Sequence, residues 1–364
     1  MNSSSRMEEE TLPFYEPEQF YPVKLGDLLD SKYRVLGKLG YGAYSTAWLC
    51  RNEDNKQRVA IKALTRASAN PQDVLPREVR VYEYLSKLGS SHIGSAYIRS
   101  LYDTFHISNS SGIYPCLVHP PMHMSIDVLR RKARSGKLSE PLLKQVLISL
   151  LQALDFLHSE AKVMHCAKVR TDIKASNIML TIDDDTILTR FEKGEQQHPA
   201  RCKVVDATRT IYASRGLSNP IDGLWGQTVL CDLGEARIGE SHTGNIQPNI
   251  YKAPEIWDIF EDKHMFDALD EDSLYSASHH VAEMVGYLGL PPLEFLQRSK
   301  ENRTCKWLGR GGVSVPSISL DESEENLSGT DKALFLQFIQ SMLRWVPEDR
   351  KSAKELLHDP WLNS

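Results

Sequence analysis

The stretch LGKLGYGAYSTAWLC (Leu36–Cys50), followed shortly by RVAIKAL (Arg58–Leu64), decides how this chain is read. Gly40 and Gly42 permit a tight turn whose backbone N–H groups approach phosphate oxygens, and the second run carries Lys62, an ammonium that reaches the same phosphates. Either half alone also fits an ordinary hairpin or a solvated strand end. At this spacing the two read together as a phosphate-binding hairpin.

Downstream, polar residues follow in the order such a site needs. TDIKASNIML (Thr171–Leu180) puts Asp172, Lys174 and Asn177 in one short loop before an apolar run. A carboxylate there can orient a substrate hydroxyl, a lysine can neutralise a transferring phosphoryl group, and an amide oxygen can ligate magnesium. VLCDLGEAR (Val229–Arg237) then places Asp232 directly after a buried-looking strand, suited to be a second magnesium carboxylate. YKAPEIW (Tyr251–Trp257) supplies Ala253, Pro254 and Glu255, and PEDRKSAKELLHDPWL (Pro347–Leu362) supplies Arg350 as an ion-pair partner for Glu255. Singly, each string fits a surface loop, a turn or a helix start; their fixed order over most of the chain makes coincidence remote.

These residues resemble the eukaryotic protein kinase superfamily and, within it, the serine/arginine-protein kinases, in a fungal-type form. Ser45 stands where most kinases carry a third glycine, with Thr46 and Trp48 after it; the loops read TDIK and DLG; IGESHTGNIQPNIYKAPEI (Ile238–Ile256) is similar to that family's short activation segment. The resemblance implies an α+β, bilobal protein-kinase fold: a small lobe of antiparallel sheet with one helix over residues 25–118, after a flexible arm over 1–24, and a larger, mainly helical lobe over 119–364. It further implies ATP held by Leu39, Gly40, Gly42, Ser45, Ala47, Ala60, Lys62 and Glu78, Mg2+ held by Asn177 and Asp232, and catalysis by Asp172 and Lys174. Glu78 rather than Glu83 is the expected partner of Lys62. The implied reaction is transfer from ATP to serine in Arg/Ser-rich proteins, with a link to mRNA splicing, by a monomer of cytoplasm and nucleus that binds neither nucleic acid nor membrane directly. A pseudokinase scaffold that binds nucleotide or protein partners is the alternative from another class.

Composition agrees with an enzyme of this size. The 364 residues are 41% hydrophobic and 25% charged, enough for a large core, and the net charge of −5 argues against general nucleic-acid binding. Acidic stretches at Glu261 and Asp262, around Asp267 to Asp272, and from Asp321 to Glu325 fit solvated loops or the docking of a basic substrate. Six cysteines without a CxxC pair indicate neither zinc nor a disulfide framework, and a reducing compartment is expected. The run SEPLLKQVLISLLQALDFLHSE (Ser139–Glu160) has helical spacing, with Ser139 as its cap. A long insertion over about 181–228 carries a possible strand pair in RCKVVDATRTIY (Arg201–Tyr212). His119 occupies the place before the hinge where the family carries a bulky apolar or aromatic residue.

Two departures from the family pattern bear on activity. The family's His-x-Asp histidine falls on His165, yet Asp172 comes only after an additional CAKVR (Cys166–Arg170), so that either His165 is displaced or Arg170 stands in its place. After Glu255 most of the family's central large-lobe helix is missing, leaving Asp258 as a stand-in for its aspartate. The short activation segment offers mainly Ser241 and Thr243, which predicts activity without activating phosphorylation.

Overall fold

The structure is a computed structural model that describes residues 6–67, 76–134, 136–165, 174–221, 223, 225–239, 257, 265–270, 272, 274–298 and 313–364. Asp172, the CAKVR insertion, Ser241, Thr243, the Ala253–Glu255 motif, Asp258 and the acidic pair Glu261 and Asp262 lie outside the described residues. The chain divides into two compact units, one built from the described parts of Met1–Ser91, Ala96–Ser125 and Ile178–Ile238, the other from His92–Ser95, Ile126–Asn177 and Gly239–Ser364.

The first unit is organised by a six-stranded antiparallel sheet in the order β1-β2-β3-β4-β6-β5. Its strands are β1 (Leu28–Leu29), β2 (Tyr33–Gly42), β3 (Ser45–Asn52), β4 (Arg58–Leu64), β5 (Asp103–Asn109) and β6 (Gly112–His119). Alternation along the strands separates two faces. Trp48, Cys50, Val59, Ile61, Ala63, Cys116 and Val118 point to one side and form a core with Val23, Val35 and Phe105. The cross-strand register Gly40–Ala47, Ala47–Lys62 and Ala60–His119 puts the residues expected to bind nucleotide on the other side. Helix α1 (Arg77–Leu88) ends at Gly89, whose positive φ of 56° closes the helix.

The insertion belongs to this first unit. It forms α4 (Thr186–Gln197), after α2 (Ile126–Lys132) and α3 (Glu140–Asp155) of the second unit, and a hairpin of β9 (Cys202–Val204) with β10 (Thr210–Tyr212). Between these, β7 (Val163–His165) lies in the second unit and β8 (Ile178–Leu180) in the first, where it pairs with β11 (Thr228–Leu230) ahead of β12 (Ala236–Ile238). Ile187, Leu188 and Phe191 of α4 bury themselves with Leu49 and Leu217, and Leu36 and Leu39 pack against that cluster. Glu192 of α4 binds Arg51 and Arg58, each at 2.9 Å. Gly37 makes this approach possible: a Cβ there would come within 2.6 Å of the Phe191 ring.

The N-terminal arm is tied down more closely than its polar, proline-punctuated sequence suggests. Glu9 pairs with Lys38, Glu10 binds Lys203 at 2.9 Å, and Arg209 donates to the carbonyls of Pro17 and Phe20 at 2.6 and 2.8 Å. Tyr114 donates to the Glu18 carbonyl at 2.6 Å. The reason is polar compensation: buried Lys38 and partly buried Lys203 find carboxylates in the arm, and buried Arg209 finds its carbonyls.

In the second unit, α3 buries Leu143, Val146, Leu147, Leu150, Leu151 and Leu154. Ser139 is its N-cap residue, but its side chain makes no cap hydrogen bond; its carbonyl accepts from Leu143 at 2.9 Å. Farther on come α5 (Ala277–Leu288), α6 (Leu293–Arg298), α7 (Leu320–Ser323), α8 (Gly329–Met342) and α9 (Ala353–Leu356). Trp361, fully buried, packs on Phe335 and Phe338 of α8 at ring distances of 4.8 and 5.1 Å. Among the described residues no helix is long and apolar enough to cross a membrane.

Candidate active site

Lys62 on β4 lies between two carboxylates, 2.8 Å from Glu78 Oε2 on α1 and 3.2 Å from Asp232 Oδ1. Burial opposes the ammonium's charge, but the Glu78 and Asp232 carboxylates outweigh it and raise its pKa above the ordinary lysine value. A permanently charged Lys62 held this way can address phosphate oxygens without wandering. Glu83, five residues on along the same helix, is exposed.

Asp232 adopts a left-handed backbone, φ 63°, uncommon for a residue with a Cβ. Its Oδ1 also accepts from the Gly234 amide at 3.3 Å. Gly234 allows that closeness, since a Cβ there would stand 3.2 Å from the same oxygen.

The hairpin differs in detail from a glycine-driven turn. Gly40 and Gly42 are both within β2, and the tight connection is Ala43–Tyr44, since Gly42 pairs directly with Ser45. Neither glycine has a positive φ, and a Cβ at either would meet nothing within 4 Å. What glycine leaves is open space beside the backbone, the room a phosphate group requires. Ser45 and Ala47 stand opposite Gly42 and Gly40, Ala60 opposite His119, and Leu39 occupies the register shift between Lys38 and Gly40.

Asn177 and Lys174 lie in the second unit. Asn177 is buried in a 3-10 turn (Ala175–Asn177) and its backbone N–H donates to the Lys174 carbonyl at 2.8 Å, while the Lys174 side chain is exposed. Arg350 donates to the carbonyls of Arg344 and Trp345 at 2.9 and 3.3 Å.

The acidic stretches are partly committed to local structure. Asp270 Oδ1 accepts from the amides of Asp272 and Leu274, both at 3.0 Å, and buried Glu324 accepts from those of Asn326 and Leu327, both at 2.6 Å.

His119, at the end of β6, is buried, with Nδ1 2.8 Å from the Ser100 carbonyl. That partner requires Nδ1 to carry the proton and donate. Nε2 is enclosed without a hydrogen-bond partner, as is the hydroxyl of Tyr82, whose ring meets the imidazole edge-on at 5.5 Å. Burial first, then the Arg99 guanidinium, holds the His119 pKa well below its ordinary value, so the ring is neutral in the folded protein. The unfolded chain therefore binds this proton more readily. The resulting stability is fully present above about pH 6.5 and is lost below it, by up to about 1.4 kcal/mol per pH unit. His280, also lowered by burial, contributes with the same sign in the second unit. The melting temperature is expected to fall between about pH 7 and pH 5, less steeply in His119→Leu; parallel curves for the two proteins would exclude His119 as a cause.

Sequence motifs did not single out Arg99, which donates to the Pro120 carbonyl through Nη2 at 2.9 Å, fixing the segment after His119. Tyr82 was visible only as one apolar position of a helical pattern. Lys38 and α4 carried no motif signal at all.

Comparison with known proteins gives the family of this chain. The model of the protein kinase domain matches residues 33–219. The chain belongs to the protein kinase family. A serine/threonine protein kinase of Aspergillus fumigatus is 39% identical across 100% of this chain and 92% of its own length. The serine/threonine-protein kinase SRPK of Physarum polycephalum is 23% identical across 98% of this chain and 91% of its own, and SRSF protein kinase 3 of Mus musculus is 30% identical over 54% of this chain and 35% of its own. Within the family, then, this is a serine/threonine kinase of the serine/arginine-protein kinase type. A kinase-domain crystal structure shares the fold with a TM-score of 0.66 at 18% identity, covering 95% of this chain and 100% of that one. The α+β kinase fold expected from the motifs is the fold observed.

Protein kinases use ATP and Mg2+. The residues present fit those groups: a charged lysine fixed by two carboxylates, a carboxylate presented on a strained backbone, and open space at Gly40 and Gly42.

Proposed function

We propose that this protein transfers the γ-phosphoryl group of Mg-ATP to serine hydroxyls in Arg/Ser-rich proteins of the splicing machinery, acting in cytoplasm and nucleus. The observation that carries the reading is the Lys62 ammonium held between Glu78 and Asp232 on β4, with open space at Gly40 and Gly42 of β2 across the intervening strand β3. In this reading Leu39, Ala47 and Ala60 enclose the adenine, Gly40, Gly42 and Ser45 line the phosphates, and Lys62 with Glu78 orients them. Asn177 and Asp232 hold magnesium, Asp172 orients the serine hydroxyl, and Lys174 neutralises the developing charge. The serine oxygen forms the new bond to phosphorus as the bond to ADP breaks, so catalysis is mainly positioning and charge neutralisation. A negative net charge of −5 suits an Arg-rich substrate.

The test is transfer of labelled phosphate from Mg-ATP to an Arg/Ser-repeat peptide and to an acidic control peptide, with Asp172→Ala as the blank. Turnover confined to the basic peptide is expected. Turnover no higher than the blank, with Mg-ATP still raising the melting temperature, would replace the reading with a nucleotide-binding scaffold.

A further inference from the structure

Lys38 precedes the glycine-bearing end of β2, and its side chain is fully buried. A lysine enclosed this completely needs a carboxylate, and β2 offers none. The partners come from the N-terminal arm: Glu9 pairs directly with the ammonium and Glu8 lies 3.5 Å away. The rings of Tyr41 and Trp48 lie 5.3 and 5.9 Å from the same nitrogen. The insertion closes the arrangement, since Lys203 binds Glu10 at 2.9 Å, Ser214 donates to Glu8, and the Arg215 amide donates to the Lys38 carbonyl at 2.9 Å.

The opposite face of β2 is gripped as well. Lys38 pairs with Trp48 on the face that carries the Trp48–Val118 core, whereas Gly37 pairs with Leu49 on the other face, where Phe191 of α4 packs against it and Leu36 and Leu39 join the same cluster. Register shifts fall between Val35 and Gly37 and between Lys38 and Gly40. The strand is therefore pinned from both sides at Gly37–Leu39, between its two irregularities and directly before Gly40. Beyond that point Tyr41 and Tyr44 are exposed, and the hairpin is held from its other strand, where Ser45 pairs with Leu64 and the Thr65 amide donates to the Tyr44 carbonyl at 2.9 Å. On the β2 side, the clamp at Gly37–Leu39 sets the course of the residues that follow it. Two segments far apart in the chain meet at the clamp: Glu9 is 29 positions from Lys38, and Glu10 is 193 from Lys203.

We propose that Lys38 and Glu9 are positioning residues for nucleotide: the arm and the insertion together clamp β2 and set where the amides of Gly40 and Gly42 meet the phosphates. The inference rests on the kinase reading above and adds to it that the arm is part of the nucleotide site's support. Loosening the clamp widens the range of hairpin positions, so nucleotide must then be bound at the cost of ordering it.

The experiment uses the full-length chain and measures the affinity of Mg-ATP by calorimetry, together with hydrogen exchange of the β2–β3 amides and the melting temperature without nucleotide. Glu9→Gln keeps an acceptor and is the mild variant; Lys38→Met is the severe one; Lys38→Arg keeps the charge. Glu9→Gln is expected to weaken Mg-ATP about threefold and Lys38→Met about tenfold, with faster exchange at Gly40–Tyr44, and Lys38→Arg to stay within about twofold of the wild type. If the wild type binds Mg-ATP and both Glu9→Gln and Lys38→Met bind it equally well, with only the melting temperature lowered, the clamp is merely structural and the inference is overturned. If the wild type itself binds no Mg-ATP, the kinase reading beneath it falls first.

Discussion

Lys62→Met is expected to reduce phosphoryl transfer by about a hundred- to a thousandfold, the loss seen when one preorganised donor to a developing charge is removed. The geometry makes the substitution costly in a second way. Glu78 is buried and Lys62 is the cation 2.8 Å from its carboxylate, so a methionine strands the charge on α1. Breaking such a pair from one side destabilises by about 3 kcal/mol. Adding Glu78→Leu removes the stranded carboxylate and is expected to restore most of that stability with none of the activity. Labelled-phosphate transfer and urea unfolding on the single and double variants separate the two effects. A single variant that keeps more than a tenth of wild-type turnover would remove Lys62 from the phosphate site.

Gly94→Ala is expected to destabilise the second unit by about 3 kcal/mol and to lower its melting temperature by roughly 6–12 °C. Gly94 lies in a short 3-10 turn (Ile93–Tyr97) within van der Waals range of α3. An added Cβ would stand 2.0 Å from the Gln152 carbonyl oxygen and 2.8 Å from Phe156 Cβ. Neither can retreat, because the far side of α3 is filled by buried Leu147, Leu150, Leu151 and Leu154. The turn is also tethered, with the Gly94 amide donating to His92 Nδ1 at 3.0 Å and His92 Nε2 3.3 Å from Asp155. Gly216→Ala is the control: a Cβ there meets nothing within 4 Å, and a change within about 0.5 kcal/mol is expected. Calorimetric unfolding of the two variants beside the wild type reads the difference directly, and equal melting temperatures would mean that α3 yields to the methyl group.

Much of the site was legible because its chemistry follows short-range rules. A strand alternates with a period of two, so Ala60 and Lys62 had to share a face; a helix repeats near four, so Val79 and Tyr82 had to turn inward. Glu78 was preferred over Glu83 on the family resemblance, and the structure places Glu78 against Lys62 and leaves Glu83 exposed. The turn expected at the glycines lies instead at Ala43–Tyr44, and Gly40 and Gly42 supply space rather than a left-handed backbone. Ser139 was recognised as an N-cap by position, although its hydroxyl caps nothing.

The sequence by itself determined the kinase family and the α+β fold, and the alternation that puts Ala60 and Lys62 on one face of the sheet, because these rest on residue types at fixed local spacing. The tertiary structure alone decided that the insertion folds onto the small sheet as α4 and a hairpin, and that the arm supplies the carboxylates for Lys38. The physical reason is that a buried lysine demands a countercharge but does not say where along the chain it comes from. No periodicity links Glu9 to Lys38 or Glu10 to Lys203; only the packing of strand, arm and insertion brings those charges together.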